Sequence, residues 1–129
     1  MWPLPADAAT EVLVSACHPR NLPHASPAAL FRVSIPCGTV SPVPVASGAL
    51  HWMTGLATSG GRLFALYAIH KQFHIAVLSL ANLAILESHA VDEVRDGHSL
   101  LAHRGQLLVV SSGTDEILAY QRRSSRLVY

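Results

Sequence analysis

The chain has 129 residues, enough for one domain, and half of them are hydrophobic while only 13% are charged, against about 25% in a typical soluble domain. Its formal net charge of +1, with no basic cluster longer than Arg122-Arg123, argues against a nucleic-acid or acidic-membrane partner. The longest apolar stretch is too short for a membrane helix and the first residues lack a signal-peptide pattern, so we expect a soluble cytoplasmic protein that makes no membrane contact.

The first unit of the chain is predicted to hold three short strands. Val12 to Cys17 is β-branched and apolar, which favours a strand. The prolines between His18 and Ala29 rule out a regular helix or a central strand there, and Leu30 to Ser34 follows as a short strand. Thr39 to Val45 contains two prolines that cannot donate ladder hydrogen bonds, so we predict an edge strand. This unit has no evident inner strand. Its two cysteines are too few for a disulfide framework and form no CxxC motif, so we expect free thiols.

The second unit predicts a complete four-stranded meander. Ser59-Gly60-Gly61 has the composition of a hairpin turn, and His70 to Phe73 is expected to be a polar connection between strands. The predicted strands are Met53 to Thr58, Arg62 to Ala68, Ile75 to Leu80 and Ala84 to Ala90.

The third unit predicts the same arrangement again. Arg104-Gly105 and the segment Ser112-Gly113-Thr114-Asp115 carry turn chemistry. The predicted strands are His98 to His103, Gln106 to Ser111, Glu116 to Gln121 and Leu127 to Tyr129.

These units are related by an internal repeat. The segments Thr54 to Tyr67 and His98 to Ser111 lie about 44 residues apart and share leucine and glycine positions, the period and pattern of a β-propeller blade. We therefore predict an all-β fold in one domain, residues 1–129, with about three four-stranded blades at about 10–47, 48–91 and 92–129. Propellers close with four to eight blades, so we expect copies to complete the ring, with a homodimer of about six blades favoured.

One segment resembles a known family. The sequence DGHSLLAHRGQLLVVSSGTDEILAY, from Asp96 to Tyr120, is similar to the repeat of a family of bacterial six-bladed β-propellers with kelch-like or NHL-like blades and uncharacterised activity. Val12 to Pro19, together with Leu30 to Val33, resembles the opening blade of that family. The resemblance implies a propeller fold, of which this chain is roughly half.

Histidines supply the candidate chemistry, since the chain has eight of them. His98 precedes a predicted inner strand and His51 lies just before another, at the expected mouth of a central channel where an imidazole could act as a general base or metal ligand. We take these two as candidate catalytic residues, and Trp52, Arg95 and Asp96 as candidate ligand-binding residues. For each histidine, and for Trp52, the alternative is a structural role within or between blades.

Three functions remain open at this stage. The first is a binding scaffold assembled from half-propeller chains, with a small-molecule ligand at the central channel. The second is a lyase or hydrolase using the channel-mouth histidines, with or without a divalent metal as cofactor; this hypothesis draws on a similarity in blade pattern to streptogramin-lyase-like and lactonase-like propellers. The third is a truncated fragment without an independent function. The sequence contains no HExxH, GxSxG, P-loop or GxGxxG motif, so it indicates no known enzyme class.

Overall fold

A computed structural model describes residues 10–15, 30–35, 37–43, 52–123 and 126–128. These residues form eleven β-strands and no helix, which confirms the predicted all-β class. The strands are β1 (Thr10–Ser15), β2 (Leu30–Ile35), β3 (Val40–Pro42), β4 (Met53–Ser59), β5 (Arg62–Ile69), β6 (Gln72–Ser79), β7 (Ile85–Ala90), β8 (Gly97–His103), β9 (Gln106–Ser111), β10 (Glu116–Arg123) and β11 (Arg126–Val128).

The strands form three antiparallel sheets in which neighbours in the chain are neighbours in the sheet. Sheet I has the order β1-β2-β3, sheet II the order β4-β5-β6-β7, and sheet III the order β8-β9-β10-β11. Each is a meander joined by short turns, and each falls within one of the three predicted units. Within the described residues the sheets form an open stack with sheet II in the middle, because β4 contacts β1 on one side and β8 on the other.

Sheet II has a hydrophobic core on each of its faces. Strand β5 is buried along six consecutive residues, Leu63 to Ala68, so its side chains alternate between the two cores. One core joins sheet II to sheet III through residues such as Leu66, Ile75 and Val109. The other joins sheet II to sheet I through residues such as Leu78 and Leu30. Full burial of each such side chain contributes about 1.5–3 kcal/mol to folding.

Strands β4 and β8 are each the first strand of their sheet and lie side by side; we call them, with β1, the inner strands. β4 and β8 approach each other at backbone distance. A Cβ atom on Gly55 of β4 would lie 2.8 Å from the backbone nitrogen of Leu100 in β8, closer than real Cβ atoms come. The absence of a side chain at position 55 therefore sets the spacing between sheets II and III.

Two expectations about the strands are wrong. The predicted polar connection from His70 to Phe73 is a two-residue turn of His70 and Lys71, and β6 already begins at Gln72. Phe73 is buried while its neighbours Gln72 and His74 are not, because successive side chains of a strand point to opposite faces of the sheet. The first unit does not lack its inner strand either, since β1 contacts β4 in the inner position. Among the described residues sheet I lacks a fourth strand, and β3 lies at its edge as predicted.

Candidate functional site

The two inner strands β4 and β8 begin in the same unusual way. Trp52 and Asp96, the residues two positions before Thr54 and His98, both have positive φ, 55° and 50°. The carbonyl oxygen of each accepts a hydrogen bond of 3.2 Å, Trp52 from the amide of Ala68 and Asp96 from the amide of Ser112. The repeat is therefore also a repeat of backbone conformation at the start of each inner strand.

Each inner strand then carries a β-bulge at the same repeat position. The pairing of β4 with β5 passes from Met53 to Gly55 and skips Thr54, and the pairing of β8 with β9 passes from Gly97 to Ser99 and skips His98. A bulge bends its strand and re-aims the extra side chain, and bulges are frequent beside functional sites. Thr54 and His98 thus leave the regular alternation of their sheets.

Both bulge residues line one cleft between sheets II and III. The cleft has a volume of about 300 Å³ and an opening to solvent. Its lining residues come from the start of the inner strands, the His70–Lys71 turn and the segment that joins the two sheets: Trp52, Thr54, Ala68, Lys71, Phe73, Arg95, Asp96 and His98. Four of the five predicted site residues therefore lie together, and the fifth, His51, falls outside the described residues.

The segment that carries Arg95 and Asp96 is fixed by Ser111, a fully buried residue of β9. The Ser111 hydroxyl accepts a hydrogen bond from the Arg95 amide and donates one to the Arg95 carbonyl, both 2.9 Å long. It also accepts a 2.8 Å hydrogen bond from the Thr114 hydroxyl. A serine hydroxyl has one donor and two acceptor positions, so these three hydrogen bonds use the full hydrogen-bonding capacity of Ser111.

Asp96 and His98 form a pair at the edge of the cleft. Nε2 of His98 lies 3.3 Å from Oδ2 of Asp96, which also accepts a 2.9 Å hydrogen bond from the Ser112 hydroxyl. The Ser112 hydroxyl, and after it the His98 imidazole, hold the pKa of the Asp96 carboxyl below its ordinary value. Both side chains are largely exposed, so the pair contributes little to stability. It orients the imidazole instead, with Nδ1 as the nitrogen that Asp96 does not engage.

Two cationic side chains line the cleft. Nη1 of Arg95 donates to the carbonyl oxygens of Asp92 and Val94, the second at 3.1 Å. Lys71 belongs to the exposed turn between β5 and β6. Within the described part of the chain neither cation forms a salt bridge. Lys71, Phe73 and Thr54 were not predicted as site residues. The alignment of Thr54 with His98 in the repeat was a signal for Thr54, and no such signal exists for Lys71 or Phe73.

Other histidines lie elsewhere. The ring of His74 stacks on Tyr67 within sheet II, with centroids 5.3 Å apart, and is not part of a loop. His89 pairs with Glu87 on β7 at 2.9 Å. Among the described residues no three His, Cys, Asp or Glu side chains converge where a metal ion could be held. The part of the chain that the structure describes contains no helix long and apolar enough to cross a membrane.

Fold and cleft together define a class: an all-β repeat protein of stacked antiparallel meanders with a cleft where its inner strands begin. Comparison with known proteins finds no family model, no curated protein and no solved structure that matches this chain.

Proposed function

We propose that the chain is a binding scaffold: two copies join through the outer faces of sheets I and III into a propeller-like ring of six sheets, and the cleft holds a small-molecule ligand. The observation that carries this proposal is the composition of the two outward faces of the stack. Both present apolar side chains in rows, as a face does when it packs on another sheet.

The open face of sheet III repeats the pattern by which sheet II binds sheet III. By strand register, its residues Leu101, Leu108, Val110, Ile117 and Ala119 correspond to Ala57, Phe64, Leu66, Ile75 and Val77 of sheet II. The sheet II residues belong to the core shared with sheet III. Their counterparts on sheet III remain accessible, Ile117 at 70%. The same kind of surface is buried in one sheet and uncovered in the next.

The open face of sheet I is equally apolar. Leu13 points from β1 towards sheet II, so its neighbours Val12 and Val14 lie on the opposite face. There they are joined across the sheet by side chains of β2 and β3, among them Val33 and Val40, the latter 62% exposed. Among the described residues of sheet I, this face carries no acidic or basic side chain.

Head-to-tail packing of two copies would bury the open apolar faces of both sheet I and sheet III. Sheet I packs on one face of sheet II and sheet III packs on the other, so each outer sheet leaves its far face open. The open face of sheet III in one copy can therefore pack on the open face of sheet I in the next. A two-fold rotation closes such contacts after two copies and gives six sheets, a number of blades with which propellers close.

Light scattering on purified variants tests the assembly. The wild type is expected at twice the chain mass of 13.8 kDa. Val14→Glu on the open face of sheet I and Ile117→Glu on that of sheet III should each give a monomer, because a carboxylate buried without a partner is costly. Leu86→Glu, at an exposed apolar position of β7, is the control and should remain dimeric.

Mixing the two monomeric variants identifies which faces meet. In a head-to-tail pair one of the two contacts combines two unaltered faces, so the mixture should regain a heterodimer. A dimer that survives Val14→Glu but not Ile117→Glu would mean that sheet III pairs with itself, against the proposal. A wild-type monomer, or an aggregate without defined size, would exclude the closed pair.

Acid–base catalysis is a second candidate, favoured by the Asp96–His98 pair. A carboxylate that orients an imidazole is the arrangement of a general base. If the protein is a lyase or hydrolase, His98→Gln should abolish turnover in a screen of lactones and esters and leave the urea midpoint unchanged. Turnover that persists in this variant would remove His98 from the chemistry.

A further inference from the structure

The cleft between sheets II and III has an apolar wall and cationic groups on the same lining. Ala68 and Phe73 are buried, and Trp52 presents 43% of its surface to solvent. Lys71 and Arg95 lie on this lining as well. Ligand sites commonly combine an apolar surface with a few polar groups that orient the ligand, and about 300 Å³ is at the lower end of their size range.

The charges of the lining do not cancel. Lys71 and Arg95 are positive, Asp96 is negative, and with His98 counted as neutral the formal charge is +1. The Asp96 carboxylate is already engaged by Ser112 and His98. Within the described residues the hydrogen bonds of Arg95 use its Nη1, and the guanidinium has five donors, so Nε and Nη2 remain for a ligand.

The backbone of the lining is conformationally costly. Of the seven residues other than glycine with positive φ among the described residues, three line this cleft: Trp52, Lys71 and Asp96. The positive φ of Lys71 belongs to a two-residue hairpin, whereas Trp52 and Asp96 precede the bulged strands β4 and β8. Such conformations cost about 1–3 kcal/mol each and concentrate at functional sites. The occurrence of Trp52 and Asp96 on one cleft is a second indication that the cleft binds a ligand.

We infer that the ligand is a small organic monoanion: a carboxylate, held by Lys71 and Arg95, on an aromatic or branched aliphatic group that packs on Trp52 and Phe73. A monoanion matches the formal charge of the lining, and a carboxylate matches the donors of a guanidinium. This inference rests on the binding role proposed for the cleft and adds the chemical class of the ligand.

Four small probes separate the two parts of this ligand. They are phenylacetate, its neutral isostere 2-phenylacetamide, the cation 2-phenylethylamine, and acetate, which lacks the ring. Each is titrated at pH 7 into the ¹⁵N-labelled full chain, and the amide shifts of residues lining the cleft give the Kd. Phenylacetate should bind about tenfold more tightly than the amide and the amine, the factor expected when a charge-assisted hydrogen bond is lost. It should also bind at least about tenfold more tightly than acetate, which loses the burial of the ring.

Variants assign the charge to particular residues. Lys71→Met and Arg95→Met should each weaken phenylacetate about threefold to tenfold and leave the binding of 2-phenylacetamide unchanged. Arg104→Met removes a cation from the β8–β9 turn, away from the cleft lining, and should change neither. Because Arg95 also holds its own segment, Lys71→Met carries the test if Arg95→Met does not fold.

The outcomes separate the ligand class from the binding role. Equal or tighter binding of 2-phenylacetamide or 2-phenylethylamine at the cleft would overturn the anion and leave the binding role intact. Acetate binding as tightly as phenylacetate would overturn the apolar part of the inference. If none of the four probes shifts the cleft residues while the wild type is a dimer by light scattering, the inferred ligand class is overturned and the proposed assembly stands. An effect of Arg104→Met as large as that of Lys71→Met would show general charge attraction and overturn the site.

Discussion

Cys37 is a residue whose surroundings change its chemistry. It lies in the exposed turn between β2 and β3, with Sγ 3.1 Å from the Ser34 hydroxyl and 3.5 Å from the Thr39 hydroxyl. These hydroxyls stabilise the thiolate, the Ser34 hydroxyl most, and lower the pKa of Cys37 to about 7. Because only the thiolate is nucleophilic, alkylation of Cys37 by iodoacetamide should rise with pH through a midpoint near 7, followed by peptide mass mapping.

Two controls belong to this titration. Ser34→Ala removes the principal donor and should move the midpoint to higher pH. The chain unfolded in urea should titrate near the ordinary thiol value of about 8.5. A midpoint that is the same in wild type and Ser34→Ala would contradict the assigned cause.

At the same scale, the sequence predicted which candidate residues would lie together better than it predicted their contacts, and their role in binding stays a prediction. Position at the start of an inner strand brought Trp52, Arg95, Asp96 and His98 together in the prediction, because residues at equivalent places in a repeat reach the same end of neighbouring sheets. It could not identify Lys71, which comes from a turn between other strands. That residue reaches the cleft through the packing of sheets, which no local pattern encodes.

Turns are the elements for which backbone conformation decides stability most directly. The β8–β9 turn has positive φ at both residues, 47° at Arg104 and 77° at Gly105, as two-residue hairpins require. Arg104→Asn should raise the free energy of unfolding by about 0.5–1 kcal/mol, because asparagine tolerates this conformation better. Gly105→Ala should lower it by about 1 kcal/mol through backbone strain alone, since a Cβ there meets no atom within 4 Å.

Urea unfolding measures both changes. Arg104→Gln is the matched control, because it removes the charge without the conformational preference of asparagine. If Arg104→Gln is as stable as Arg104→Asn, the gain comes from charge and the explanation by φ is wrong.

The same physics explains which turns could be predicted. Gly60-Gly61 was recognisable because glycine adopts positive φ without a Cβ penalty. His70 and Lys71 adopt φ of 48° and 68° without such a residue, so their turn looked like a longer polar connection. The packing of β5 and β6 on both sides enforces this turn, and tertiary packing overrides local preference there.

For the molecule as a whole, periodicity predicted three units of antiparallel strands, and the structure shows three sheets. The period of about 44 residues contains this information because each meander must bury its apolar rows on a neighbour. It contains no information on how many neighbours there are. Closure into a ring therefore stays a prediction that depends on the open faces of sheets I and III.

The spacing of the sheets depends on Gly55, and its replacement tests the stack. Gly55→Ala places a Cβ 2.8 Å from the Leu100 backbone nitrogen, an atom that cannot move without β8. We expect a loss of about 2–3 kcal/mol in the free energy of unfolding by urea, typical of overpacking against a rigid neighbour. Ser99 is the repeat equivalent of Gly55 on β8 and is exposed, so Ser99→Ala should stay within about 0.5 kcal/mol of wild type. Equal stabilities for Gly55→Ala and Ser99→Ala would mean that β4 and β8 do not touch at this point. The larger loss at Gly55 would show instead that sheets II and III are held at backbone contact, the spacing that brings Thr54 and His98 into one cleft.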